Sequence, residues 1–230
     1  MEANIIHLAT VTSTQDVARA MTARSVGTVI IADAQEKGRG RWGHVWLSPR
    51  GGLYMSIIMR SDPLLSLRAG IAVAHALQRL GIDARLKWPN DVLVKGKKIA
   101  GILIEASGGT AIVGIGVNIE SVPLAGSTCI AAEAGRIIAR DDLVLSIVQE
   151  MDTSYLEDIL KTYRKLCATI GKDVAITMGN EKVSGLVVDV DEGGHLLLKT
   201  AEELRIISSG ECAHLDVHSS ADTGKQDRLR

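Results

Sequence analysis

A chain of 230 residues with a formal net charge of −1 projects no overall field that would gather nucleic acid or an anionic membrane, so any basic site has to be local. Its hydrophobic content of 46% is ample for a large core, and that core has to be aliphatic, because Phe is absent and only three Trp and three Tyr occur. No stretch approaches the roughly 18 uninterrupted apolar residues of a membrane span, and the N-terminus lacks the basic and apolar regions of a secretory signal.

Cys129, Cys167 and Cys212 are odd in number, far apart and outside any C-x-x-C spacing. That argues against a disulfide framework or a zinc site, and for small buried hydrophobes in a reducing cytoplasm.

In chain order, "TSTQDVARAMTARS" predicts a short amphipathic helix, capped by Thr12 or Ser13, with Val17, Ala20 and Met21 on its packed side. The β-rich runs "GTVIIADA" (27–34) and "LYMSIIMR" (53–60) follow. Between them lies a glycine-spaced basic segment too long for a simple hairpin, of a length that is usually functional or disordered. From Leu64 to Leu80 the recurrence of Leu67, Ile71, Ala74 and Leu77 predicts a helix stopped by Gly81. Short strands come next in "ARLKW", "DVLVKGKKIAGILIEASGG" and "TAIVGIGVNI", turned at Lys95-Gly96-Lys97 and at Gly108-Gly109. A stripe from Val144 through Tyr155 to Tyr163 predicts one long helix or two abutting ones. After Gly171 the pattern changes to short β runs of roughly 45 residues in all, the size of a small barrel near the lower limit for independent folding. The polar end "DVHSSADTGKQDRLR" has no pattern and reads as a disordered tail.

Two basic clusters stand out. Lys37, Arg39, Arg41 and Arg50 lie in a stretch without an acid, and Arg85, Lys87, Lys95, Lys97 and Lys98 accompany only Asp91. All three tryptophans, Trp42, Trp46 and Trp88, fall inside these segments, and indole faces stack on purines and on Arg planes. In "KWPND" the proline fixes the directions of Lys87 and Asp91, and a lone carboxylate among phosphate-seeking cations is what Mg²⁺ needs. "GIGVN" (114–118) joins two glycines, which admit close backbone approach, to Asn118, whose amide can address an adenine edge. Neither a P-loop nor a dinucleotide fingerprint is present.

Together, "TSTQ" (12–15), "QEKGRGRWGHVW" (35–46), "KWPND" (87–91), "KKIAGILIE" (97–105) and "GIGVN" (114–118) resemble, in order and spacing, the biotin–protein ligases (biotin–[acetyl-CoA-carboxylase] ligases) over residues 5–120. The resemblance implies an α+β fold, with a central mixed β-sheet and packed helices as in class II synthetases, plus a small C-terminal SH3-like β-barrel. It divides the chain into a biotin- and ATP-binding catalytic domain (1–170), a small β domain (171–216) and the tail (217–230). The first capped helix starts early, so the expected class is the short one without the N-terminal DNA-binding domain. The implied reaction activates biotin with ATP and Mg²⁺ as biotinyl-5′-AMP and passes it to one lysine of a biotin carboxyl carrier domain.

By the same resemblance, Lys98, Arg39 and Arg41 are the catalytic cations. Ser13, Thr14 and Gln35 would bind the ureido ring of biotin. Gly38, Arg39 and Lys98 would cover and meet its acyl group, and Gly101, Gly114 and Gly116 would form the floor. ATP would be held by Arg41, His44, Trp46, Lys87, Asn90 and Asn118, and Mg²⁺ by Asp91. Gln15 and His44 stand where the family usually has Asn and Arg, and a histidine exchanges a permanent charge for one that titrates near about pH 6.5. The resemblance also raises a homodimer.

A lipoate or octanoate ligase of the same broad fold is the nearest alternative, and the polar Ser13, Thr14 and Gln35 set favours biotin over an alkyl chain. A single-strand nucleic-acid module using Trp and Arg is opposed by the net charge and by the acidic segment around Asp141, Asp142 and Glu150. Neither nucleic acid nor membrane is therefore an expected partner.

Overall fold

Alternation sorts the side chains of this protein between two faces of one sheet, and that sorting creates the site. The computed structural model describes residues 4–22, 24–122, 124–152 and 159–215. The strands are β1 (Asn4–Val11), β2 (Thr28–Gln35), β3 (Gly52–Arg60), β4 (Ala84–Lys87), β5 (Asp91–Val94), β6 (Lys97–Ser107) and β7 (Thr110–Asn118). They pair in the order β1-β2-β3-β7-β6-β5-β4, with β1 parallel to β2 and the other pairs antiparallel. The mixed sheet is as expected, but β1 was not anticipated from the sequence. It is an edge strand with five of its eight residues exposed and none buried, so its pattern is weak.

Helices α2 (Leu65–Arg79) and α4 (Arg140–Asp152) cover one face. Leu67, Ile71, Ala74 and Leu77 of α2 are all buried there, against Leu53, Met55 and Ile57 of β3 and Val113, Ile115 and Val117 of β7. The short helix α1 (Thr14–Ala20) lies on the other face, capped by the Ser13 hydroxyl, which accepts from the Gln15 amide at 3.2 Å. There Ala18 packs with Ile30, Ile58 and Ile112, flanked by Val17 and Met21; Ala20, expected on the packed side, is exposed. The remainder of that face carries Ser56, Gly101, Gly114, Gly116 and Asn118 in place of large apolar residues, so it is left concave.

The turns at 95–96 and 108–109 form as the glycines predict, with positive φ at both residues of each, as two-residue hairpins require. A five-residue helix α3 (Ile130–Ala134) was not anticipated. The helical stripe resolves into α4 and α5 (Ile159–Leu166), and Tyr155 lies outside the described residues, as does the proposed tail.

The C-terminal meander is an antiparallel sheet of β8 (Asp173–Met178), β9 (Glu181–Val190), β10 (Leu196–Lys199), β11 (Leu204–Ile207) and β12 (Glu211–His214), ordered β11-β10-β9-β8-β12. The last run, "LRIISSGECAHL", is two strands, because the chain bends at Ser209 between them. The strand order has two edges, so the described pairing is an open sheet with no closed barrel. Its apolar face, including Val174, Ile176, Val187, Leu196 and Ile207, joins the same core as α2. Trp88 closes the junction: its backbone N–H donates to Thr169 Oγ1 and its indole N–H to the Gly194 carbonyl, both at 3.1 Å.

Candidate active site

The concave part of the sheet opens into a cavity of about 400 Å³, lined from five directions. α1 supplies Ser13, Thr14 and Gln15, and the loop after β2 supplies Arg39, Arg41, His44 and Trp46. The β4–β5 turn adds Asn90 and Asp91, β6 and β7 add Lys98 and the glycines, and β12 adds Glu211 and Cys212. The two basic clusters therefore do meet at one cavity, but only in part. Lys98 joins it, whereas Arg85 pairs with Asp83 at 3.0 Å and Lys95 with Glu133 at 2.9 Å, both outside its lining.

The loop between β2 and β3 is ordered by its own contacts. The Gly40 amide donates to the His44 carbonyl at 2.7 Å and the Trp46 amide to the Gly38 carbonyl at 2.9 Å, around a 3₁₀ turn at Arg41–Gly43. Gly38 is buried under this turn: a Cβ there would fall 2.3 Å from the Trp46 carbonyl oxygen. Gly38 thus shapes the loop from behind and does not line the cavity.

At one end of the cavity the polar groups satisfy each other. The Thr14 amide donates to Gln35 Oε1 at 2.9 Å, Gln35 Nε2 to the Ser48 hydroxyl at 2.8 Å, and the Ser56 hydroxyl to Thr14 Oγ1 at 2.8 Å. Ser56 is wholly buried inside an apolar strand, and this break in "LYMSIIMR" was a legible signal that sequence reasoning passed over. The Gln15 amide lies against Gly114 and donates to the Leu103 carbonyl at 3.0 Å, while its oxygen is buried without a partner.

At the other end, the charges are arranged in a column. Asp91 Oδ1 lies 2.5 Å from Lys98 Nζ, which sits 5.3 Å from the centre of the Trp46 ring. Trp46 in turn lies flat on Gly101 and Gly116: a Cβ on Gly116 would come within 2.4 Å of the indole nitrogen. The glycines expected as a bare floor thus carry the Gln15 and Trp46 side chains, and the Trp46 N–H is buried without a partner.

Arg41 is half-buried and directed at Asn90 Oδ1 (3.5 Å) and at the Gly210 carbonyl (3.3 Å); burial lowers its pKa, against the pull of Asp91 and Glu211. His44 touches Glu211, so the loop is joined at two points to the chain at the start of β12, Gly210 and Glu211. Burial also pushes the Cys212 thiol up to about 11, which keeps it protonated and unreactive near neutrality. Arg39 turns away to α1, with two guanidinium nitrogens 2.8 Å from the two oxygens of Asp16. Asn118 is buried and donates to the Thr128 carbonyl at 3.0 Å. Lys87 is outside the lining; it faces β12, where its charge acts on Cys212. The contributions of Asp16 and of Gly210, Glu211 and Cys212 were not foreseen, since each depends on a contact between segments distant in sequence.

Arg41, Lys98 and Asp91 around one cavity make a device for holding an anion beside a carboxylate-bound cation. Among the described residues no three His, Cys, Asp or Glu cluster as a metal site, and no helix is long and apolar enough to cross a membrane.

Comparison with known proteins agrees with this geometry. The profile of the Biotin/lipoate A/B protein ligase family matches residues 8–120, and that of the Biotin protein ligase C terminal domain matches residues 169–215. The biotin–[acetyl-CoA-carboxylase] ligase of Mycobacterium tuberculosis is 32% identical, over 82% of this chain and 79% of its own length. The bifunctional ligase/repressor BirA of Bacillus subtilis is 30% identical, over 92% of this chain and 74% of its own. The solved structure of the biotin protein ligase from Aquifex aeolicus in complex with biotin and ATP superposes with a TM-score of 0.81 at 32% identity, covering 92% of this chain and 98% of that one. Sequence profiles, relatives and backbone all converge, and the chain belongs to the biotin protein ligase family.

Proposed function

We propose that the protein is an ATP-dependent biotin–protein ligase, in which the cavity between α1, the 35–52 loop and the β4–β7 sheet holds both substrates. The observation that carries this reading is that Lys98, Arg41 and Asp91 line one cavity, next to the polar pocket of Thr14 and Gln35. Biotin's carboxylate attacks the α-phosphorus of ATP, pyrophosphate leaves, and a mixed anhydride with AMP remains. The amine of the acceptor lysine then attacks the acyl carbon, AMP departs, and the amine loses a proton to give an amide.

Attack of one anion on another needs the charge cancelled. Lys98, oriented by Asp91 and by the Trp46 face, supplies a cation at the carboxylate, and Arg41 supplies one at the phosphate. Thr14 and Gln35 orient the ring end, and Gln35 keeps one amide hydrogen beyond its bond to Ser48. The 35–52 loop excludes water from the anhydride.

Asp91 offers one hard carboxylate oxygen with Asn90 beside it, which fits Mg²⁺ held mainly by the ATP phosphates. When bound, that ion neutralises phosphate charge. The relatives' names support a carboxyl carrier domain as acceptor. We further assign residues 1–170 to catalysis and 171–216 to a small β unit, a cytoplasmic location, no nucleic-acid partner, and a homodimer as the candidate assembly.

The test is biotin-dependent exchange between ATP and pyrophosphate. Lys98→Ala lowers the exchange rate by about 10²–10³-fold, the usual effect of removing a group that stabilises transition-state charge. Lipoate substituted for biotin supports no exchange. Exchange driven equally by both acids, or unaffected by the substitution, would overturn the reading.

A further inference from the structure

Arg39 belongs to the loop expected to supply charge to the substrates, yet its guanidinium faces α1. Its Nη1 donates to Asp16 Oδ2 at 2.8 Å, and its Nη2 lies 2.8 Å from Asp16 Oδ1 as an ion-pair contact without a hydrogen bond of its own. Glu105 of β6 stands 3.8 Å from the same guanidinium, and Arg19 bridges both acids, at 2.9 Å to Asp16 and 2.6 Å to Glu105. Two positive and two negative groups thus close on one another. The Arg39 charge is compensated there, away from the cavity centre, whereas Lys98 pairs with Asp91 at the cavity itself and Arg41 meets the Asn90 and Gly210 oxygens.

We propose that Asp16 is a positioning residue that latches the 35–52 loop over the cavity by gripping Arg39. The proposal rests on the ligase reading for its kinetic consequences. Its geometric basis does not: α1 is fastened to the sheet by Ala18, Val17 and Met21, so Asp16 is a fixed point. The loop carries its second attachment at the start of β12, where Arg41 meets Gly210 and His44 meets Glu211. With Asp16 in place the 39–44 part of the loop is held from two sides, and closure over biotin needs little further ordering. Without it the closed form is only fractionally populated, and apparent affinity falls by that fraction. The chemical step in the closed form is unchanged, because Asp16 touches no reacting atom.

The Arg39 hydrogen bond holds the Asp16 carboxyl below its usual pKa range, and Arg19 acts in the same direction. A carboxylate with a depressed folded pKa contributes its ion pair above the ordinary aspartate range and loses it only as pH falls through the lowered value. The latch is therefore constant across the neutral range and fails only in strong acid.

Limited trypsinolysis read by mass spectrometry tests the latch without turnover, since Lys37, Arg39 and Arg41 all lie in the loop. Asp16→Asn is expected to speed cleavage there by about fivefold, as suits a half-exposed ion pair, and Asp16→Glu to restore protection. Biotin and ATP together should slow the cleavage again. Kinetically, Asp16→Asn raises the KM for biotin by about the same factor and changes kcat by less than about twofold. Arg39→Lys keeps the charge but loses the planar guanidinium that reaches both Asp16 oxygens, and it loosens the loop in the same way. Unchanged loop cleavage in Asp16→Asn, or a fall in kcat at constant KM, would overturn the latch. A wild-type protein without exchange activity would overturn only the ligase reading, because the cleavage result stands apart from it.

Discussion

Gly116 sits directly beneath the Trp46 indole, and this single contact sets how the charged column stands. A methyl group at that point would overlap the ring nitrogen, and the obstacle is a rigid ring that cannot swing aside as a lysine tail could. Gly116→Ala is therefore expected to cost about 1–3 kcal/mol and to lift Trp46 off the sheet, which thermal unfolding and tryptophan fluorescence would record. Lys98 would lose its aromatic support in the same variant. At this scale much was legible: the motifs put Lys98, Arg41 and Asp91 beside glycines, and the structure brings all three to one cavity. What could not be read was direction. Arg39 and Arg41 are two residues apart on the same loop, yet one faces Asp16 and the other Asn90. The choice depends on acids contributed by α1 and by the sheet, which no local pattern encodes.

Among the elements, the strands and the main helix were readable because their apolar residues repeat with periods of two and of about 3.6. β1 escaped because an exposed edge has no clean alternation, and the five residues of α3 are too few to show a period. The 35–52 loop was recognisable from composition, but its order was not, since that comes from Gly38 packing and from β12. The β12 contact carries a prediction about the loop. His44 touches Glu211 from an exposed position, so the pair is weak. His44→Ala should therefore speed tryptic cleavage of the 35–52 loop by no more than about twofold, less than Asp16→Asn does, and an equal acceleration would make this contact a second latch.

Over the whole molecule, the two sheets share one core, and Trp88 is where they join. It is 2% exposed, and its two N–H groups reach Thr169 and the Gly194 carbonyl, both beyond the large sheet. Gly194 itself packs against Leu64 and Leu67 at the start of α2, so the small sheet is braced on the helix that covers the large one. This explains how a unit of marginal size is stable: its apolar face is completed by residues of the other unit. It also explains why β12 can present Gly210 to Arg41 at a defined distance. Trp88→Phe preserves most of the buried area but removes the indole donor and leaves the Gly194 carbonyl without it. The expected cost is about 1–3 kcal/mol. At about 2–4 °C per kcal/mol for a chain of this size, that lowers Tm by several degrees. Calorimetry should still record one cooperative transition, because the shared core remains. A separate low-temperature transition in the variant would mean that the small sheet unfolds by itself, and that the distance from Arg41 to Gly210 is set by something other than Trp88.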